Sequence, residues 1–166
     1  MNALTIINLV NEERAHVRLP ALKNNEDLAQ AAQKKTEDMK AKEYFAHQDS
    51  AQQTITEFIP KSYPYSLLGE NLGFGFANEK ELVKAWMKSS SHKSNMLDPT
   101  FVDVGIGVTP VDGRFLVAEV FGTTQQDFLA RKKDLISFHL DVSSILIALT
   151  IIFLGLGLLT KRGGKN

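Results

Sequence analysis

The chain has 166 residues, of which 43% are hydrophobic and 23% are charged, and its formal net charge is zero. This length allows one domain of common size with a short appendage, and the apolar fraction excludes a wholly disordered chain. The absence of cysteine excludes a disulfide scaffold, a thiolate metal site and a cysteine nucleophile. The neutral total argues against a general nucleic-acid-binding protein.

The first part of the chain has the periodicity of helices. Residues 3–18 place apolar side chains near helical spacing, and Pro20 ends the segment because the residue before proline avoids the α region. Asn24 and Asn25 are candidate N-caps for a second helix that extends toward Phe45. Its expected inward stripe consists of Leu28, Ala31, Ala32, Lys35 and Met39.

The middle of the chain contains many helix breakers. A short helix is expected over residues 52–59, while residues 60–77 hold two prolines and three glycines. We therefore expect loop there, with a short extended piece at residues 70–76. Asn78-Glu-Lys-Glu81 resembles a capping box that opens a helix to Lys88.

After Pro99 the apolar period changes from helical to alternating. Residues 102–109 place aliphatic side chains on one face and Asp103, Gly105, Gly107 and Thr109 on the other, as a strand would. Residues 110–113 supply turn chemistry, and residues 114–121 continue as a second strand. Helices followed by an antiparallel hairpin indicate the α+β class.

The C-terminal region predicts a membrane anchor. Residues 142–160 are nineteen residues without a charge, and as a helix they would be about 28 Å long, close to the roughly 30 Å hydrocarbon core of a bilayer. Residues 161–166 form a basic tail, and residues 124–141 are a linker or a juxtamembrane helix. A buried core helix is the alternative, but such helices are seldom apolar on every face.

The orientation of this anchor rests on few charges. Three basic residues flank the span on each side, and the acid-free cluster after it favours a cytoplasmic tail with the domain outside the cell. Residues 1–7 lack the basic start of a secretory signal, so either the domain is cytosolic or a leader lies upstream. The expected location is the cell membrane, in a single pass.

Several short motifs follow one another in a recognisable order. They are Asn11-Glu-Glu-Arg14, Leu19-Pro20-Ala21-Leu22, Tyr44-Phe45-Ala46-His47, Gly69-Glu70-Asn71-Leu72, residues 86–97 beginning at Trp86, Gly105-Ile106-Gly107-Val108 and Val120-Phe121-Gly122. Together they resemble the CAP superfamily of cysteine-rich secretory proteins, venom antigens and plant pathogenesis-related proteins, in its cysteine-free bacterial form. The resemblance covers residues 5–122, so the expected CAP domain spans residues 1–123.

The resemblance implies a fold and a site. The fold would be an α-β-α sandwich with an antiparallel sheet between helices, and the family's cleft carries two histidines and two acids that bind zinc in some members. By position, the histidines are His47 and His92 and one acid is Glu70. Ser89 occupies the position of the second acid, so this chain offers at most two histidines and one glutamate.

The residue chemistry leaves the role of these three groups open. Two imidazoles and a carboxylate suit a divalent cation such as zinc, but the spacing of His47, Glu70 and His92 alone gives no metal signal. Their task could instead be structural, with Glu70 accepting backbone donors. No other cofactor is expected.

Three further residues belong to the predicted cleft or its surroundings. Asn71, like Asn95, is expected to fix turns rather than to contact a ligand, and Ser89 lies at a serine-rich helix end. Glu119 lies in a strand where the family often has Gln. It is expected either to pair with a cleft residue or Arg114, or to be a rim carboxylate on an edge strand.

Three functional hypotheses follow from these observations. The favoured one is a non-enzymatic, membrane-anchored binding module whose cleft takes a small ligand, a lipid, a glycan or a peptide, with divalent metal as a candidate cofactor. The second is a metal-assisted hydrolase acting on peptide or cell-wall material. The third is a structural interaction domain whose cleft residues hold the fold. Nucleic acid is not an expected partner.

Overall fold

A computed structural model describes residues 1–130 and residue 133. Within the described residues, the first element is a helix. A long hairpin comes near the end, and a helical stretch at 125–130 follows it. The elements are α1 (Ala3–His16), β1 (Lys23–Asn24), α2 (Glu26–Ala41), a 3-10 helix (Ile55–Phe58), β2 (Tyr65–Phe74), α3 (Glu79–Lys88), α4 (Ser90–Met96), β3 (Asp103–Val111) and β4 (Arg114–Thr124).

The helices begin at side-chain caps. Asn25 Oδ1 accepts the backbone N–H of Leu28, as predicted for α2, and Asn78 Oδ1 accepts the N–H of Glu81 at the start of α3. The predicted extension of α2 toward Phe45 is wrong, because the helix ends at Ala41. Glu43 then adopts a positive φ of 54°, which turns the chain out of the helix.

The predicted hairpin is confirmed. β3 and β4 pair antiparallel from Asp103 opposite Gly122 to Val111 opposite Arg114. Asp112 and Gly113 form the connection with φ of 47° and 73°, the geometry of a two-residue hairpin turn.

The sheet differs from the prediction in two respects. The strand order is β1-β3-β4-β2, and β2 runs for ten residues, whereas an extended piece was predicted only at residues 70–76 and loop before it. Pairing along β4 keeps β2 extended despite its glycines, with Leu67 opposite Thr123 and Phe74 opposite Leu116. The sheet is also mixed rather than wholly antiparallel, because the short β1 pairs parallel to β3.

Helices cover the sheet on both faces, in the predicted α-β-α arrangement. The core between the sheet and α1, α3 and α4 contains Ile6, Ile7, Val10, Leu22, Leu82, Val83, Trp86, Met96, Phe101, Val104, Ile106, Val117 and Phe121. The core against α2 contains Leu28, Ala31, Ala32, Met39, Ile55, Tyr63, Leu72, Leu116, Ala118 and Val120.

Two glycines set the distance between α2 and β3. A Cβ atom on Gly105 would lie 2.1 Å from the backbone nitrogen of Ala29, and one on Gly107 would lie 2.2 Å from the carbonyl carbon of Ala32. The face of β3 that contains Gly105 and Gly107 therefore packs directly against the backbone of α2.

The predicted anchor at 142–160, the basic tail and most of the linker lie outside the described residues. Among the residues that the structure describes, none of the helices has the length and apolar character that crossing a bilayer demands. The membrane anchor therefore stays a prediction.

Candidate functional site

The structure brings two of the predicted site residues into contact. His47 lies in the loop after α2, Glu70 lies in β2, and His47 Nδ1 is 2.5 Å from Glu70 Oε2. The His47 side chain is 61% exposed, whereas that of Glu70 is 6% exposed. An ionised carboxylate only accepts hydrogen bonds, so Nδ1 of His47 is the donor and Nε2 is the ring nitrogen that is not bonded to Glu70. Glu70 thereby fixes the orientation of an exposed imidazole.

The pKa of Glu70 is set by its burial and by two neighbouring side chains. Burial raises the pKa of Glu70, while the hydrogen bond from His47 and the charge of Lys35 lower it. The Oε1 atom is buried and has no hydrogen-bond partner among the described residues. The carboxyl group therefore has one oxygen committed to His47 and one unused acceptor.

Lys35 is a component of the site that the sequence reasoning placed only in the apolar stripe of α2. The residue is fully buried, and its Nζ donates to the Tyr44 hydroxyl at 3.0 Å and to the backbone carbonyl of His47 at 3.1 Å. Burial lowers the pKa of Lys35, and the charge of Glu70 opposes that shift. A lysine among buried apolar positions was the available signal, since lysine is rarely buried without partners.

The Tyr44 hydroxyl continues this network. It donates to Asp38 at 2.8 Å, and burial together with that hydrogen bond raises the pKa of Tyr44 well above its usual range. Lys35 and Tyr44 thus attach the segment before His47 to α2.

His92 lies on α4, close enough to His47 for the two charges to interact. Burial lowers the pKa of His92, and the charge of His47 lowers it further. Within the described part of the chain, however, no three His, Cys, Asp or Glu side chains are grouped so that they could hold one metal ion. The arrangement of His47, Glu70 and His92 therefore does not fit a three-ligand metal site.

Ser89 does not replace the missing acid. It is the junction of α3 and α4, and its hydroxyl oxygen lies 3.1 Å from that of Ser91. The residue present at the position of the family's second acid is thus engaged with its own helix start.

An amide network joins α4 to β2 behind the pair. Asn71 Nδ2 donates to the backbone carbonyl of His92 at 3.2 Å and to Glu119 Oε2 at 3.0 Å. Asn95 Nδ2 donates to the carbonyl of Glu70 at 3.1 Å and to Asn71 Oδ1 at 2.9 Å. Both asparagines make structural bonds between elements, which is broader than the predicted fixing of turns.

The alternative placement of Glu119 on the cleft rim is wrong. Its side chain is fully buried on β4, an interior strand of the sheet, and it pairs with Asn71. Burial raises the pKa of Glu119 to about 8, against the hydrogen bond from Asn71 and the charge of Arg14. The sequence alternation could not show this, because helices cover both faces of the sheet.

A surface cavity of about 600 Å³ lies beside the pair. His47 and Glu70 form part of its wall, and the loop after His47 supplies most of the rest. Its lining residues are Ala46, His47, Gln48, Asp49, Gln52, Thr54, Ile55, Thr56, Leu68, Gly69 and Glu70.

The three-layer α-β-α fold and the histidine–glutamate pair in a surface cavity are the features that the CAP resemblance implied. Residues 7–121 match the cysteine-rich secretory protein family, CAP. The chain belongs to this family, as the motifs indicated.

Relatives and solved structures agree with that assignment. The chain is 38% identical over 104 residues to YkwD of Bacillus subtilis, covering 61% of this chain and 40% of that protein. It is 25% identical over 104 residues to the membrane protein YlbC of the same bacterium, covering 62% of this chain and 30% of that protein. An extracellular SCP-domain protein from Bacillus anthracis has a similar structure, with a TM-score of 0.67 and 24% identity over 74% of this chain and 40% of that one. The chain thus spans less than half the length of each.

Proposed function

We propose that this CAP domain is a non-enzymatic binding module displayed at the cell envelope. The observation that carries the proposal is the His47–Glu70 pair, which presents an exposed, oriented imidazole at the wall of a 600 Å³ cavity. Such a cavity has the size range of small-ligand sites. The Nε2 atom of His47 would hydrogen-bond to the ligand, while Glu70 holds the ring.

The same geometry favours binding over catalysis. A general acid or base must reach the proton that it transfers. Glu70 is 6% exposed, and one of its oxygens is already bonded to His47. Ser89, at the position of the family's second acid, has no carboxyl group. Of the His47–Glu70 pair, only His47 is therefore exposed enough to contact a ligand.

Divalent metal is a separate question within this proposal. Because the described arrangement does not fit a three-ligand site, no step of the proposed binding runs through a metal. We expect no saturable micromolar zinc binding by calorimetry. Saturable binding that disappears in the His47→Ala/His92→Ala double variant would make zinc part of the site instead.

Placement at the envelope is supported by the chain's own C-terminal sequence. Residues 142–160 are uncharged and a basic tail follows, which suits a single span with a cytoplasmic end. YlbC is named as a membrane protein, and the Bacillus anthracis relative is described as extracellular. Protease treatment of intact cells tests this placement, and complete protection of the domain would contradict it.

The binding proposal is tested by a ligand screen on the full chain in lipid nanodiscs. Compounds that raise the thermal midpoint of the wild type should lose that effect in the His47→Ala variant. His16→Ala is the matched control, because His16 is an exposed histidine on α1 with a side chain 75% exposed. A screen in which His47→Ala and wild type respond alike would contradict the proposal. Turnover that is abolished by Glu70→Gln in a folded protein would favour the hydrolase hypothesis.

A further inference from the structure

The cavity beside His47 has a lining of mixed polarity. Four of its side chains carry uncharged amide or hydroxyl groups, and Ile55 and Leu68 contribute apolar groups. The uncharged polar residues are Gln48, Gln52, Thr54 and Thr56. A ligand that matches this wall has both hydrogen-bonding groups and apolar faces.

The acidic groups of the wall are already paired within the protein. Asp49 Oδ2 accepts from Lys42 Nζ at 2.8 Å, and Glu70 accepts from His47 at 2.5 Å. A charged ligand would therefore meet no unpaired opposite charge among the lining residues, which favours an uncharged ligand.

Asp49 also holds the loop in shape. Its Oδ1 atom accepts the backbone N–H groups of Ala51 at 2.8 Å and Gln53 at 2.9 Å, and its side chain is 3% exposed. The cavity wall is therefore preformed, which lowers the ordering cost of binding.

An exposed aromatic pair lies along the same strand face as Glu70. Phe45 is 50% exposed and Phe74 is 38% exposed, with ring centroids 6.0 Å apart. Glu70 and Phe74 are four residues apart in β2, so they share a face at a separation on the order of 13 Å. The Arg114 guanidinium lies over the Phe74 ring at 5.9 Å from its centroid, so the pair offers the remaining part of its apolar surface to a ligand.

An extended peptide is a poorer match, because β2 cannot extend the sheet at this position. The backbone carbonyl of Glu70 accepts from Asn95 Nδ2, and that of Leu72 accepts from Trp86 Nε1 at 2.9 Å. Two main-chain acceptors that strand addition would use are therefore occupied.

We infer that the cavity binds an uncharged oligosaccharide of N-acetylated hexosamine units, an inference that rests on the proposed binding function. A sugar hydroxyl hydrogen-bonds to Nε2 of His47, and amide and hydroxyl groups of the loop bind the acetamido group, whose methyl packs against Leu68. A further ring of the oligosaccharide packs one apolar face on Phe74.

The test uses calorimetry with N-acetylated chitotriose as the probe and cellotriose, which lacks acetamido groups, as the comparison. The full chain in nanodiscs should bind chitotriose with a Kd on the order of 1 mM and cellotriose at least 10-fold more weakly. His47→Ala and Phe74→Ala should each weaken chitotriose binding by about 10-fold, equivalent to about 1.4 kcal/mol. His16→Ala and Leu4→Ala, at exposed positions of α1, are the matched controls and should bind like wild type.

Three results would overturn the inference in distinguishable ways. Equal affinity for the two sugars would contradict recognition of the acetamido group. Absence of sugar binding, in a protein whose ligand-screen response still depends on His47, would reject the sugar and leave the binding module intact. Absence of any His47-dependent ligand would reject both.

Discussion

Glu119 provides a sharp test of the electrostatics of this fold. Its carboxyl group is fully buried on β4, where Asn71 donates to one oxygen and the other has no hydrogen-bond partner among the described residues. The variant Glu119→Gln keeps the size of the side chain and an acceptor for Asn71, but it cannot ionise. The CAP resemblance adds that the family often carries Gln at this position.

The expected magnitude follows from the pKa of Glu119, which burial raises from 4.5 to about 8. Between these values the carboxyl is mainly protonated in the folded state and ionised in the unfolded state. Its stabilising contribution is therefore complete below pH 4.5 and is lost as the pH rises through 8. The loss is about 3 kcal/mol at pH 7 and approaches about 5 kcal/mol above pH 9.

Urea unfolding at pH values from 4 to 9 measures this contribution. The difference in unfolding free energy between Glu119→Gln and wild type should shift in favour of the variant by about 3 kcal/mol from pH 4 to pH 7. Glu12→Gln, at an exposed position of α1, is the control and should give a curve parallel to wild type. A parallel curve for Glu119→Gln would refute the reasoning, because it would mean that Glu119 ionises alike in both states.

Two further predictions concern the positions that shape the site and the α2 packing. Lys35→Met removes the donor to the backbone carbonyl of His47 and should lower the unfolding free energy by about 2 kcal/mol in urea, while Lys34→Met at an exposed position should not. Equal stability of the two variants would contradict a structural role for Lys35. Gly105→Ala places a Cβ atom 2.1 Å from the backbone nitrogen of Ala29, so it should destabilise the domain by about 3 kcal/mol, and an unchanged urea midpoint would contradict the close packing.

The sequence predicts the fold well where local signals agree with tertiary packing. Asn25 and Asn78 cap helices as expected, and the alternation from residue 102 predicts the hairpin, since turn chemistry and β pattern point to the same structure. Only the part of β2 from residue 70 was predicted as extended, because its glycines and the prolines before it favour loop, whereas pairing with β4 keeps the whole of Tyr65–Phe74 extended.

The site was less accessible to residue reasoning. His47 and Glu70 are 23 positions apart, and the CAP resemblance rather than their spacing paired them. Lys35 was hidden because a lysine at a buried helical position looks like an interruption of the stripe. Its partners, Tyr44 and the carbonyl of His47, become visible only when the chain folds back on α2. Burial of Glu119 also depends on a second helical layer, which alternation in one strand cannot predict.

The serine at position 89 and the buried charge of Lys35 both support the proposal that the site binds a ligand directly. A second carboxylate in the cleft would add negative charge that a bound cation could neutralise. With serine there, Glu70 is the remaining family acid, and its neighbours are His47 and the charge of Lys35. That balance is internal to the domain and requires no cation from solvent. His47 then keeps Nε2 as the ring nitrogen that is not bonded to Glu70.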